Sequence, residues 1–345
     1  MNDLQIVVVG AGHMGRRHAQ KVMALADAGH PVKLIGVVDI VAQRAADLGK
    51  RLSVRHSVNA RELLAQADAA VVAVSTLGHY DVVKHALLAG CDVLVEKPMA
   101  ATLAEGEELV EIAQRAGRIL QVGHLEWFNN AMRSIRDQIR NPRFIEAHRR
   151  GPFSHRATDI DVVRDLMIHD IEILQRIVGA EPSRIESVGI SVLSDKVDIA
   201  NARLTFPNGC VANLTASRVS PSPMRQLRFF QGDGCFLIDF LEHAAAVIRR
   251  EVPYDAASPE LQIEKIEVER GDALLDQLLQ FVDAVRTGSK PAVDGVEGLA
   301  ALRTAIRVLD GLPTQGVDFD FDLATEIKAG PPPWYPPKFA SNRQS

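Results

Sequence analysis

The stretch that most limits the fold is Leu4 to Val9, a nearly unbroken apolar run followed at once by Gly10-Ala11-Gly12-His13-Met14-Gly15. A run of this kind bounded by glycine suits a strand covered on both faces, as strands of parallel sheets are. The residues after it, Arg16 to Ala28, are mostly good helix formers and stop at Gly29. Strand, glycine turn and helix in this order assign three jobs. One glycine permits the tight turn, one lets the backbone approach a pyrophosphate, and one lets the helix pack against the strand. The helix N-terminus then offers N–H groups and the positive end of its dipole to phosphate, so His13 and Met14 join the three glycines as candidate cofactor contacts.

A second strand, Val32 to Val38, ends at Asp39, 24 residues past Gly15. An acid there can accept hydrogen bonds from both ribose hydroxyls of an adenosine and repels a 2′-phosphate, so NAD is expected in preference to NADP. Arg44 could soften that preference, and Asp39 could instead cap the helix beginning near Val41. Strand and helix patterns then alternate. Strands fall at Ala69–Val74, Val93–Val95 and Ile119–Val122, with helices at His79–Ala89 and Leu103–Ala116 closed by Gly90 and Gly117. Such alternation implies a doubly wound parallel sheet, with ligands at the carboxyl ends of its strands. Ser75, Glu96, Lys97, Gly123 and His124 all lie at such ends. In Glu96-Lys97-Pro98, proline stops the ladder and aims Lys97 from a fixed turn. That cation could donate to a substrate hydroxyl or stabilise an alkoxide; the alternative is a surface lysine paired with Glu96.

Beyond Asn129 to Arg140, a linking helix, the pattern changes. Phe144–Arg149, Ile185–Leu193, Ile199–Phe206, Val211–Ser217, Gln226–Gln231 and Cys235–Phe240 read as strands, with Ala244–Ile248 and Ile263–Val268 as two more. Neighbouring strands with short turns build an open, mostly antiparallel sheet with one face free for helices, and Asp272–Thr287 and Val296–Leu309 supply closing helices. The expected fold class is thus α/β: an N-terminal doubly wound Rossmann domain (1–125) and a C-terminal α+β domain on an open sheet (126–330). A proline-rich tail (331–345) follows as an extended arm.

Between the first two strands of the second domain runs a helix from about Asp161 to Gly179, with Val163, Met167, Ile171, Leu174 and Val178 as its apolar stripe. Asp165 and His169, four residues apart, share the other side, with Asp161 and Glu172 near them. Read alone, this is a solvated helix face with acids near the N-terminus; read with the glycine loop and Lys97, it is a base and a supporting acid facing a cofactor.

Composition removes several other classes. The chain has 345 residues, 47% hydrophobic and 24% charged, with a net charge of -5 and dispersed basic residues, so no nucleic-acid surface is indicated. No apolar run is long enough for a membrane span, and a strand begins too early for a signal peptide. Cys91, Cys210 and Cys235 form no ligand-spaced group, so neither a zinc site nor a disulfide framework is expected, no metal is called for, and a reducing cytoplasm fits.

Gly10/Gly12/Gly15, Asp39, His79 with Ala86-Leu87-Leu88-Ala89-Gly90, Glu96-Lys97-Pro98 and Asp165 four residues before His169 together resemble the glucose-fructose oxidoreductase, inositol dehydrogenase and MocA family, from Leu4 to about Leu312. The resemblance implies NAD-dependent oxidation of a sugar hydroxyl to a ketone. Lys97 and His169 would be catalytic, His169 taking the hydroxyl proton, with Asp165 on the substrate or tuning the base. It implies Gly10, Gly12, His13, Met14, Gly15, Asp39, Ser75, His79, Glu96 and Lys97 as cofactor contacts, and a homodimer or homotetramer built on the open sheet. Two departures stand out: Met167 where many members have glycine, which alters the expected sugar pocket, and Val74-Ser75 in place of the usual Thr-Pro before His79. Asp161 to Asp170, Gly123-His124 and Ser220-Pro221-Ser222-Pro223 are similar to members that oxidise the 3-hydroxyl of UDP-N-acetylglucosamine ahead of transamination in lipid A biosynthesis. For such a substrate His124, Arg150 and Arg156 are candidate contacts, and Arg149, Arg218 and Arg225 further partners for a diphosphate. An inositol or free-sugar dehydrogenase, a non-catalytic NAD(H)-binding protein and a methyltransferase are the competing readings; the Glu96-Lys97-Pro98 turn and the large open-sheet domain disfavour the last.

Overall fold

Leu4–Val9 forms strand β1 of this computed structural model, which describes residues 2–154, 160–250 and 261–312. It pairs in parallel with β2 (Val32–Val38) and β4 (Ala69–Val72), and β3 (Arg55–Ser57), β5 (Asp92–Glu96) and β6 (Leu120–Gly123) complete a six-stranded sheet ordered β3-β2-β1-β4-β5-β6. The order reverses beside β1, where open α/β sheets bind ligands. Register brings the ends level: Val9 pairs with Val38 and Val72, so Gly10, Asp39 and Ala73 share one edge. Glu96 pairs with Gly123, which sets Lys97 and His124 side by side one residue later. Helices α1 (His13–Asp27), α2 (Ala42–Leu52), α3 (Ala60–Leu64), α4 (Thr76–Leu88) and α5 (Leu103–Ala116) fill the crossovers.

After a short 3₁₀ turn, Leu125–Phe128, and helix α6 (Asn130–Ile135), the second sheet begins with β7 (Phe144–Arg150). Its other strands are β8 (Arg184–Ile190), β9 (Ile199–Thr205), β10 (Val211–Ser217), β11 (Met224–Gln231), β12 (Gly234–Asp239), β13 (Ala244–Arg250) and β14 (Leu261–Ile266), in the order β14-β13-β12-β11-β7-β10-β9-β8. All neighbours are antiparallel except β7 and β10. Both expected sheets are therefore present, including the two strands after Ala244.

The continuous helix expected from Asp161 is not uniform. Val163–Met167 is a wider π-type turn, and the α-helix α7 runs only over Ile168–Val178 before Gly179, in the left-handed region, ends it. Asp161 is buried rather than part of a solvated face: its Oδ1 accepts the Arg164 N–H and its Oδ2 the Arg164 Nε–H. Met167 is wholly buried in the core of the second sheet, so its bulk goes into packing.

The closing helices also differ from expectation. Leu278, Phe281 and Val282 of α8 (Ala273–Thr287) pack with Ile6, Val8 and Ala19, covering the first sheet and not the open one. Helix α9 (Gly295–Asp310) sits against both cores, with Leu299 and Leu302 on the first and Ala301, Ala305 and Val308 on the second. Gly298 lets it approach β6, because a Cβ there would lie 2.4 Å from a Val122 methyl. His155, Arg156 and the proline-rich tail lie outside the described residues.

Candidate active site

The three loop glycines divide their work as the motif requires. Gly10 has φ +105°, and a Cβ on it would lie 2.3 Å from the Ala73 carbonyl oxygen; a Cβ on Gly15 would lie 1.7 Å from the Gly10 oxygen. Those two close the strand–turn–helix unit on itself. A Cβ on Gly12 would meet nothing within 4 Å, so glycine there leaves the backbone open to an outside group. Gly12 caps α1 without a side-chain bond and no acid lies in the first turn, which leaves the helix end fit for a pyrophosphate. His13 is exposed and Met14 half-buried at that end, and Ser75 is exposed at the end of β4 as the cap of α4.

Asp39 serves the loop as well as the helix after it. Its Oδ2 accepts the Ala11 N–H at 2.8 Å and its Oδ1 the Val41 N–H at 2.8 Å. A carboxylate has lone pairs for more than these two bonds, so the ribose role remains compatible with the turn-forming one. Glu96 is anchored from an unexpected side. His18, buried in α1, meets its Oε1 at 2.7 Å. Burial would raise the Glu96 pKa, but the hydrogen bond and charge of His18, with Lys97 and His79, bring it below the ordinary value and keep the group ionised. Nothing in the helical pattern marks His18 for this task.

His79 is likewise turned into the protein. Nδ1 lies 2.8 Å from the Pro98 carbonyl and Nε2 3.2 Å from that of Val74, so the ring staples the end of β4 to the turn after β5. That turn, with a cis Lys97–Pro98 bond, delivers Lys97 to the second domain. Its Nζ donates to the Asp165 carbonyl at 2.6 Å and to Asp165 Oδ1 at 3.0 Å. An ammonium has three donors, so one stays available to a substrate oxygen. The carboxylate expected to support His169 is thus committed first to the lysine, at the wider turn that presents its carbonyl and side chain together.

His169 is half-buried, with Nδ1 sealed from solvent and unpartnered. Burial first, then Lys97, Arg149, His124 and Arg225, hold its pKa well below the usual 6.5, so the imidazole is neutral at physiological pH. His124 stands edge-on to it, ring centroids 6.2 Å apart. Wholly buried, His124 is pushed down to about 3 by burial, with Lys97 and Arg176 adding to the effect.

Three of the four described arginines sort differently from the sequence expectation, and Arg225 does not. Arg149 is buried, donating to Glu126 Oε1 at 2.7 Å and, from Nη2, to Asp170 Oδ1 at 2.8 Å; this cluster ties β7 to α7 and to the turn after His124. Arg218 is also buried, on Asp198 and the Ile160 carbonyl. Neither is free for a diphosphate. Arg150 alternates with Arg149 along β7, which puts it on the opposite face of the sheet, where it meets its cross-strand partner Met224 at Sδ; its place in the crevice is corrected accordingly. Arg225, paired across strands with Arg149 and so on the same face, is 46% exposed and 3.8 Å from Glu126.

Comparison with known proteins agrees with this arrangement. Residues 4–124 match the oxidoreductase family with an NAD-binding Rossmann fold named for Gfo, Idh and MocA, and residues 130–236 match that family's C-terminal domain. A UDP-N-acetylglucosamine 3-dehydrogenase of Acidithiobacillus ferrooxidans is 36% identical over 89% of this chain and 97% of its own. The solved structure of that enzyme superposes with a TM-score of 0.83 at 34% identity, covering 90% of this chain and 98% of its own. A myo-inositol 2-dehydrogenase of Thermotoga maritima is 27% identical over 87% of this chain and 93% of its own. With both domains matched and a relative 36% identical over 89% of this chain, the chain belongs to the Gfo/Idh/MocA family of NAD-binding oxidoreductases.

Proposed function

We propose that this protein oxidises a secondary hydroxyl of a nucleotide sugar to the ketone, the 3-hydroxyl of UDP-N-acetylglucosamine being the substrate position best supported. The observation that carries the reading is the meeting of Lys97, from the end of β5, with Asp165 and with the helix of His169 across the two domains. Gly10, Gly12, His13, Met14, Gly15, Asp39 and Ser75 would hold the dinucleotide along the edge of the first sheet. NAD, when bound, supplies the hydride acceptor. Neutral His169 takes the hydroxyl proton, the free donor of Lys97 stabilises the oxygen as negative charge develops, and Asp165 holds that lysine in place. His79 and Glu96 act behind these groups, fixing the turn and the strand end.

Two observations favour an anionic sugar over a free polyol. The relative with 36% identity bears the nucleotide-sugar activity in its name. Arg225, with no hydrogen bond among the described residues, offers a guanidinium to a diphosphate on the same side of the sheet as His169. The 3-keto product is the form a transaminase converts to a 3-amino sugar, the step that a lipid A carrying such a sugar would need, and a nucleotide-sugar substrate suits a cytoplasmic enzyme. Its subunits would associate through the outer row of the open sheet, where Phe144, Phe230 and Ile248 align.

The test is a substrate screen following NADH absorbance with UDP-N-acetylglucosamine, other UDP-sugars, free hexoses and inositols. The expected result is turnover of UDP-N-acetylglucosamine, with Arg225→Gln raising its KM by about tenfold or more, the weight of one charge-assisted hydrogen bond. Turnover of inositols or hexoses without UDP-sugars would make the chain a polyol dehydrogenase instead.

A further inference from the structure

A histidine base needs more than the right pKa; the nitrogen facing the substrate must be the unprotonated one. In a neutral imidazole one nitrogen carries the proton, and the partner of the other nitrogen decides which. For His169 the sealed nitrogen is Nδ1, which has no hydrogen-bond partner. If Nδ1 bears the proton, that buried N–H needs an acceptor, since an unpaired one is strongly unfavourable. Of the neighbours that set the field at His169, Lys97 from the β5 turn, Arg149 from β7 and Arg225 from β11 are cations that only donate. The nearby carboxylates already hold cations, Asp165 the Lys97 ammonium and Asp170 and Glu126 the Arg149 guanidinium, whereas both ring nitrogens of His124 are without a partner. His124 can accept.

His124 has the complementary need. It is 1% exposed, and both of its ring nitrogens are buried without a partner. Its position is fixed by the pairing of Glu96 with Gly123 and by the turn that follows. Its ring meets that of His169 edge to face with centroids 6.2 Å apart, too far for a direct bond between nitrogens and close enough for one water to bridge them.

We propose that His124 is a positioning residue for the base: through one bridging water it accepts the Nδ1–H of His169 and so leaves the Nε2 lone pair free for the sugar hydroxyl. This rests on the reading of His169 as the base. A second imidazole suits the task better than a carboxylate would in this place. Facing Lys97, Arg176 and His169, it stays neutral, so it fixes the proton without drawing it off Nδ1.

The experiment uses full-length protein with bound NADH, histidine labelled with nitrogen-15, and the His124→Phe, His124→Asn and His124→Gln variants. Wild-type His169 is expected in the Nδ1–H form. His124→Phe should bind NADH as the wild type does, show His169 shifted toward the Nε2–H form, and lose about tenfold to hundredfold in kcat with KM little changed. At least one of the amide variants, which keep an acceptor, should restore both the tautomer and most of kcat. A wild-type His169 in the Nε2–H form overturns the proposal without any variant, as does an unchanged tautomer in His124→Phe. The tautomer readout needs no sugar, so absence of turnover in the wild type would count against the proposed function and leave the role of His124 to the spectra.

Discussion

The base proposed for this reaction must be unprotonated when its substrate arrives, and the surroundings of His169 favour that state. Burial, then Lys97, Arg149, His124 and Arg225, favour the neutral ring, so protonation requires a pH well below 6.5. The acidic limb of kcat/KM is therefore expected below that value, and Arg225→Gln, which removes one cation and so favours the imidazolium, should move the limb upward. Profiles of both proteins between about pH 5 and pH 9 check this; coincident limbs would show that Arg225 does not act on the base. The strand end that carries Lys97 and the helix segment that it meets at Asp165 were legible because a proline-stopped strand and a four-residue spacing are local signals. Arg225 and Arg150 were not separable by sequence, since the pairing of Arg225 with Arg149 is a matter of register between strands distant in the chain. His18 carries no local signal at all; its partner Glu96 lies 78 residues away.

Among the elements, the glycine loop makes the sharpest separation between folding and binding. Gly15→Ala would force a Cβ to 1.7 Å from the Gly10 oxygen, so the helix must move off the strand, and both melting temperature and NADH affinity should fall. Gly12→Ala meets nothing within 4 Å, so the protein should melt as the wild type does while NADH binds about tenfold or more weakly, because the methyl stands where the pyrophosphate approaches. Thermal melts with and without NADH distinguish the two; equal loss of stability in both would contradict the assignment. Strands of both sheets were readable from their apolar runs. Short elements such as β3 and α3 were not, having three and five residues, too few for a period to show. The π-type turn at Val163–Met167 was also hidden, because its sequence continues the apolar stripe of the helix that follows.

For the molecule as a whole, two buried groups give opposite slopes of stability against pH. Glu172 has no hydrogen bond at either carboxylate oxygen; burial raises it to about 8, with Arg176 opposing and Glu297 adding. The folded protein thus holds this proton more tightly than the unfolded chain. Its contribution is full below the ordinary 4.5 and is lost as pH rises to about 8. His124 is depressed, so its contribution is full above 6.5 and is lost as pH falls toward about 3. The slopes of these two groups oppose each other between 4.5 and 6.5, and His169, also depressed, adds its own loss of stability as pH falls below 6.5. Glu172→Gln removes one slope, at roughly 1.4 kcal/mol per pH unit, so its melting temperature should gain on the wild type from pH 5 to pH 8. Parallel melting curves would contradict a neutral buried Glu172. The return of α8 to the first sheet belongs to this scale too: its apolar residues announce a helix but not which core they enter.

The roles of His169 and Lys97 are tested by turnover of UDP-N-acetylglucosamine in His169→Asn and Lys97→Met, with NADH affinity measured on the same preparations. NADH should bind to both about as tightly as to the wild type while kcat falls by about 10²- to 10⁴-fold, the usual contribution of a positioned proton acceptor or oxyanion stabiliser. Near-normal kcat in His169→Asn with tight NADH binding would mean that another group takes the proton.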